Sequence, residues 1–319
     1  MESSRLDRRT FMQGALVGGF AASIGFGSRG ARGDEPSGKP AAGKIGDFKI
    51  SLAEWSLHEA LFKKEITNLD FPRLAREQFG IEAVEFVNQF FKDKARDARY
   101  LKELKKVADD HGVTCVLIMC DGEGDMSAES KSERMKAVEN HKKWVDAAAA
   151  LGCHAIRINT GHGYGPKDVS KPAESCALLA EYGESNKIEV ICENHGGPSS
   201  NPDALIPLIK AVGKANFGTL PDFGNFPKDR NDKYMIDPYD AIARMMPYAK
   251  GVSAKSYDFE PDGRESHLDF GRIMKIVTDA GYHSFVGIEY EGRKLPEPAG
   301  IKATKALLEK LRGSEYSGA

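Results

Sequence analysis

EVICENHGG, residues 189–197, is the stretch whose reading decides the fold. Glu189 leads into Val190-Ile191-Cys192, an apolar run suited to a buried strand, and the run ends on Glu193, Asn194 and His195 before two glycines. A core strand that finishes on a carboxylate and an imidazole makes sense where strand ends open into a shared mouth. The neighbouring sequence repeats the plan. Short apolar strands are expected near 49–55, 82–88, 113–119, 154–159, 188–194, 217–222, 250–256 and 285–290. Helices are expected over 70–79, 94–111, 131–151, 172–186, 202–213, 238–248, 268–280 and 298–312, several of them closed by a glycine such as Gly112 or Gly152.

Strands alternating with helices of this length imply parallel βαβ units. Eight units fit an α/β fold of the (β/α)8 TIM barrel type, here expected over residues 48–312 as a single domain. An open doubly wound sheet fits less well, because the first strand is not followed by a G-x-G-x-x-G turn.

The four later strands end alike. Glu193 closes strand five, Asp222 strand six (PDFGNF), Lys255 strand seven (VSAKSYDF) and Glu289 strand eight (GIEYEG), at intervals of 29, 33 and 34 residues. Each interval is one βα unit, so three carboxylates and an amine reach the same end of the barrel. Carboxylates crowded in a low-dielectric mouth raise one another's pKa values unless a cation joins them. A divalent metal resolves the repulsion. Oxygen ligands suit Mg²⁺ or Mn²⁺, and an added imidazole tilts the site toward Mn²⁺, with Co²⁺ or Zn²⁺ as further candidates. His195 lies two residues beyond Glu193, on the same side of an extended chain.

CENHGG, PDFGNF and GIEYEG, in this order and spacing, resemble the xylose-isomerase-like TIM barrels of the sugar phosphate isomerase/epimerase superfamily over about residues 48–312. The resemblance implies a metal held by Glu193, Asp222 and Glu289, with Glu193 and Glu289 moving a substrate proton. The family places a His ligand on strand seven, where this chain has Ser253, with Lys255 on the family's Lys or Asn. A hydroxyl is a poor replacement ligand, so water or His195 is the expected fourth donor.

Further candidates surround the mouth. Trp55 and His58 after strand one can form a sugar-stacking rim, and Asn225 and Tyr257 follow strands six and seven. Arg157 and Asn159 share the inward face of strand four, and Glu85 points inward from strand two. An inward Arg and an inward Glu are expected to pair with each other or to bind substrate. The Thr160–Gly165 loop can close over a ligand, with His162 a minor candidate. His141 sits among lysines and reads as solvated.

The N-terminus carries Arg8-Arg9 before Phe11, an apolar run broken by glycines from Ala15 to Phe26, and small residues at Ala31 and Gly33. These features read as a twin-arginine signal peptide over residues 1–33, with the twin-arginine translocase as a transient partner and a periplasmic or otherwise exported product. The run is too short for a stable membrane anchor. Residues 34–47 read as a flexible lead-in and 313–319 as a tail. Without its five arginines and two acids in residues 1–33, the chain has 40 basic and 45 acidic residues. No clustered basic surface suggests nucleic acid. Five cysteines, none in a C-x-x-C pair, read as buried thiols.

The expected chemistry is that of a metal-dependent isomerase or epimerase of a sugar or polyol, acting through an enediolate, with catalytic Glu193, Glu289, Lys255 and His195. A lyase or dehydratase of keto-sugars or keto-glycosides uses the same enediolate. A barrel that binds saccharide without turnover is the third reading.

Overall fold

The computed structural model describes residues 40–318. The expected signal peptide lies outside the described residues. Eight parallel strands alternate with eight helices: β1 (Lys49–Ala53), α1 (Phe71–Phe79), β2 (Ala83–Val87), α2 (Ala98–Asp110), β3 (Thr114–Cys120), α3 (Lys131–Leu151), β4 (Ala155–Ile158), α4 (Ser170–Ser185), β5 (Glu189–Glu193), α5 (Pro202–Val212), β6 (Phe217–Leu220), α6 (Pro238–Met245), β7 (Val252–Ser256), α7 (Phe270–Asp279), β8 (Phe285–Tyr290) and α8 (Glu297–Leu311). The strands pair in the order β6-β5-β4-β3-β2-β1-β8-β7. Parallel bridges Thr219–Ala249 and Asp222–Ser253, with Lys250 N–H donating to Thr219 O at 2.9 Å, join β6 to β7 and close the ring. This is the (β/α)8 TIM barrel expected from the sequence.

Side chains alternate along each strand, so odd and even positions face different layers. Val84 and Phe86, Ile156 and Ile158, Val190 and Cys192, and Val286 and Ile288 pack outward in the main core beneath the helices. The interleaved Ala83, Val87, Leu117, Met119, Ala155, Ile191 and Leu220 form a smaller apolar cluster inside the ring. Arg157, Glu193, Lys255 and Glu289 follow the inward parity, toward the carboxyl ends. Inside the ring Glu85 takes the Ser51 hydroxyl at 2.5 Å. Gly287 makes room for it: a Cβ there would come within 2.6 Å of both Glu85 carboxylate oxygens.

Three expectations need correction. The lead-in and tail are structured where described: Gly43–Lys44 pairs antiparallel with Glu315–Tyr316, and Ile45 and Phe48 are buried. Burial of those two apolar side chains holds the segment that polar neighbours made look flexible. His141 is buried, with Nδ1 2.7 Å from Ala137 O, because it shares the inner face of α3 with Val138, Trp144 and Val145 rather than the face of its lysine neighbours. Arg157 and Glu85 do not pair; their actual partners are described below. All five cysteines are buried and free, as expected, Cys176 from helix α4.

Candidate active site

At the carboxyl ends of the strands, oxygens of Glu193, Asp222 and Glu289 all lie within 4.8 Å of one another, and all three side chains are buried. Asp222 is held by the loop that follows its own strand, Glu193 by the loop after β6 and Glu289 by β7. Asp222 Oδ1 accepts the backbone N–H groups of Gly224 and Asn225, both at 2.8 Å. The Asn194 side chain locks the same turn, accepting from Asp222 N–H at 2.7 Å and donating to Asp222 O at 3.0 Å. Asn225 Nδ2 donates to Glu193 Oε1 at 2.7 Å. Ser253, at the position where the resemblance led one to expect a His, donates its hydroxyl to Glu289 Oε2 at 2.9 Å.

Two buried cations enter this cluster. Lys255 Nζ is 3.2 Å from Glu289 Oε1 and 3.2 Å from Glu291 Oε2. Arg157 Nη1 is 2.6 Å from Asp121 Oδ1, and its Nε is 2.8 Å from Glu193 Oε2. That Nε–H is not aimed at the carboxylate, so Nε and Oε2 lack a hydrogen-bond partner despite the short separation. Asp222 Oδ2 is a second buried oxygen without one.

The electrostatics follow from these positions. Burial drives the Asp222 carboxyl well above the usual range; Lys255 partly opposes this, and the neighbouring Glu193 and Glu289 push it further up. Burial also raises Glu193 in spite of Arg157. Burial acts on Glu289 in the same sense, but Lys255 and Arg157 outweigh it and hold that carboxyl low. Lys255 is itself buried, which favours the neutral amine, yet Glu289 and Asp222 keep it strongly protonated. Buried carboxylate oxygens lacking a partner are rare in folded chains. Asp222 Oδ2 without a hydrogen bond, beside Glu193 Oε2 met only by an ion pair, fits a hard divalent cation bound through oxygen.

The structure places the remaining candidates at differing distances from this centre. His195 is exposed on the rim, outside the carboxylate cluster, where it lines a cavity of about 270 Å³ with Trp55, Arg157, Asp121 and Glu289. Trp55 Nε1 donates to Glu291. His58 stacks on Trp55 and its Nδ1 is 3.5 Å from Glu297. Tyr257 bounds the β6 loop, its hydroxyl 3.4 Å from Gly224 O. Glu85 lies lower in the barrel, where burial raises its carboxyl to about 8. Arg157 meets Asp121 and Glu193 because β3 and β5 flank β4, whereas β2 is two strands away. In the Thr160–Gly165 loop, Gly163 N–H donates to Ser127 Oγ at 2.7 Å.

Asp121 and Glu291 were not singled out from the sequence. Asp121 follows β3 and accepts from Arg157 and, at 2.7 Å, from Asn159. The strand-end criterion that found Glu193 would have found it, had it been applied to strand three. Glu291 repeats the inward parity of Glu289 two residues on. A larger cavity, about 500 Å³, lies at the opposite end among Lys49, Glu82, Thr114 and Phe285. It opens at the starts of the strands, away from the acidic cluster, so the smaller mouth is the candidate site.

A family model described as xylose isomerase-like TIM barrel matches residues 73–311. The chain belongs to that family. Solved structures with the same fold include a xylose isomerase-like TIM barrel protein from Mycobacterium smegmatis in complex with magnesium, at 16% identity and TM-score 0.63 over 83% of this chain and 96% of that one. A D-psicose 3-epimerase with D-tagatose from Clostridium cellulolyticum H10 aligns at 16% identity and TM-score 0.60, over 80% and 90% of the two chains. A probable 3-DHS dehydratase from Bacillus anthracis aligns at 18% identity and TM-score 0.62, over 82% and 99%. At such identities the likeness to these three structures is one of fold. No curated protein sequence matches the chain.

Proposed function

We propose that this protein is a divalent-metal-dependent isomerase or epimerase of a sugar or polyol, acting through an enediolate. The observation that carries the reading is the cluster of Glu193, Asp222 and Glu289, with two buried oxygens that no hydrogen bond satisfies. These three residues would hold the cation, and their all-oxygen donor set suits Mg²⁺ as well as Mn²⁺. A cation there would supply Lewis acidity toward adjacent oxygens of the substrate. Glu193 and Glu289, on strands three apart in the ring, remove the proton next to the carbonyl and return it. Lys255, kept cationic by its acidic neighbours, donates a hydrogen bond to the oxygen on which negative charge develops. Arg157 holds Glu193 in place from the side of β4. The epimerase among the similar structures makes a carbohydrate substrate the natural choice.

A second reading is a lyase or dehydratase. Lys255 Nζ stands between Glu289 and Glu291, a position from which it can give a proton to a departing oxygen. The dehydratase among the similar structures supports it. Export by the twin-arginine route, supported by Arg8-Arg9, would place either reaction in the periplasm. No helix among the described residues is long and apolar enough to cross a membrane.

Elemental mass spectrometry of the purified chain beside Glu193→Gln tests the centre. About one equivalent of metal, lost in the variant, supports it; no metal in either protein after adding excess Mn²⁺ overturns it. Product mass then separates the reactions, because an isomer keeps the substrate mass and a lyase releases water or an aglycone.

A further inference from the structure

One wall of the mouth has a chemistry that the acidic cluster does not use. Trp55, in the turn after β1, lines the cavity. Its indole stacks on His58 at 4.9 Å, meets Phe62 edge-on at 6.0 Å and tilts against Phe90 at 6.1 Å. Phe62 and Phe90 touch edge-on at 5.2 Å. The loop after β1 and the loop after β2 therefore build one aromatic surface that starts inside the mouth and runs out over its rim. Its inner end is fixed by chemistry as well as packing, since Trp55 Nε1 donates to Glu291, the carboxylate that also receives Lys255.

The outer end is costly for the chain alone. Phe62 is 57% exposed, one of three large apolar side chains that are exposed among the described residues. Of those three it is the one that adjoins the mouth through aromatic contacts. An exposed aromatic ring continuous with the half-buried aromatic wall of a cavity offers a surface to part of a ligand held there. The cavity, about 270 Å³, has room for a single small ring, and the patch begins where that space ends. A second sugar could lay only a C–H face on these rings, and the phenylalanines offer its hydroxyls no hydrogen bonds. A flat apolar group would lose nothing and would stack.

We propose that Trp55, Phe62 and Phe90 form a subsite for a planar apolar aglycone, so that the ligand is a glycoside of an aromatic alcohol whose sugar ring occupies the carboxylate end. The inference rests on the carbohydrate reading above. It favours the bond-breaking form of that chemistry, because an isomerase of free sugars has no group to place on the platform.

Calorimetry on the full chain with Mn²⁺ added tests it without needing turnover. The probes are paired 4-nitrophenyl and methyl glycosides of the same hexose, over a panel of glucose, galactose and mannose. The expected result is roughly tenfold tighter binding of an aryl glycoside than of its methyl partner, the scale of one aromatic contact surface. Phe62→Ala should abolish that preference and leave methyl glycoside affinity and thermal stability as they are; Phe90→Ala should abolish it too, with a lower melting temperature because Phe90 also packs against the core. Equal binding of the two probes by the unmodified chain overturns the subsite alone. Failure of both probes to bind overturns the carbohydrate reading together with the subsite. If Phe62→Ala turns a dimer into monomers on sedimentation and leaves an aryl preference intact, the patch is a contact between copies and the proposal falls.

Discussion

Replacing Arg157 with Met should expose how much of the mouth is held together by one guanidinium. The side chain is 3% exposed and stands 2.6 Å from Asp121 and 2.8 Å from Glu193. At an effective dielectric of about 20, each contact has a gross Coulomb energy of roughly 6 kcal/mol, opposed by several kcal/mol of desolvation per ion. Met fills similar space, so the main loss is electrostatic: two buried carboxylates are left without their cation. Deleting one partner of such a pair costs about 3–5 kcal/mol. The pH dependence has a definite sign. Burial tends to raise Asp121, but Arg157 more than offsets it and holds the carboxyl below its ordinary value. The stability Asp121 contributes is therefore present above the ordinary carboxylate range and lost as pH falls through its lowered value. Without Arg157 the same carboxyl takes up a proton at higher pH, so the penalty of the substitution should shrink between pH 7 and pH 4. Urea unfolding of both proteins in the presence of a chelator, at the two pH values, measures it. A cost below about 1 kcal/mol at pH 7, or the same cost at both, would refute the reasoning.

Two other perturbations test the barrel around the site. Glu85 is raised from 4.5 to about 8 by burial, so its contribution to stability is full below pH 4.5 and is lost as pH rises toward 8. Glu85→Gln should remove that loss, giving a melting temperature above that of the unmodified chain at pH 8 and a smaller difference at pH 5; parallel melting curves at both would contradict it. A Cβ at Gly300 would lie 2.2 Å from the ring of Tyr290, where α8 crosses β8. Gly300→Ala should cost about 1–3 kcal/mol in urea unfolding, and an unchanged midpoint would mean that the helix shifts freely.

The sequence was most legible where one period carries the information. Alternation of apolar strands and helices placed all eight barrel strands, because the outward side chains of parallel strands must be apolar beneath the helices. Spacing by one βα unit placed Glu193, Asp222, Lys255 and Glu289 at one end. The lead-in was harder to read: Ile45 sits among small and polar residues, and the strand beside it, Gly43–Lys44, finds its partner in Glu315–Tyr316 at the other end of the chain.

What the sequence by itself determined is therefore the fold, the inward parity of each polar residue, and the end of the barrel at which each of them emerges. Only the tertiary structure decided which of them meet. Arg157 shares the ring with several inward carboxylates, and ring order gave it Asp121 and Glu193 while Ser51 took Glu85. His195 shares the parity of Glu193 but ends on the rim, because the strand stops at Glu193 and Asn194 turns to bind the neighbouring Asp222 backbone. Period and spacing act along the chain, so they are written in it. Partner choice inside a closed ring is set by which strands lie side by side, and that is settled only when the ring closes.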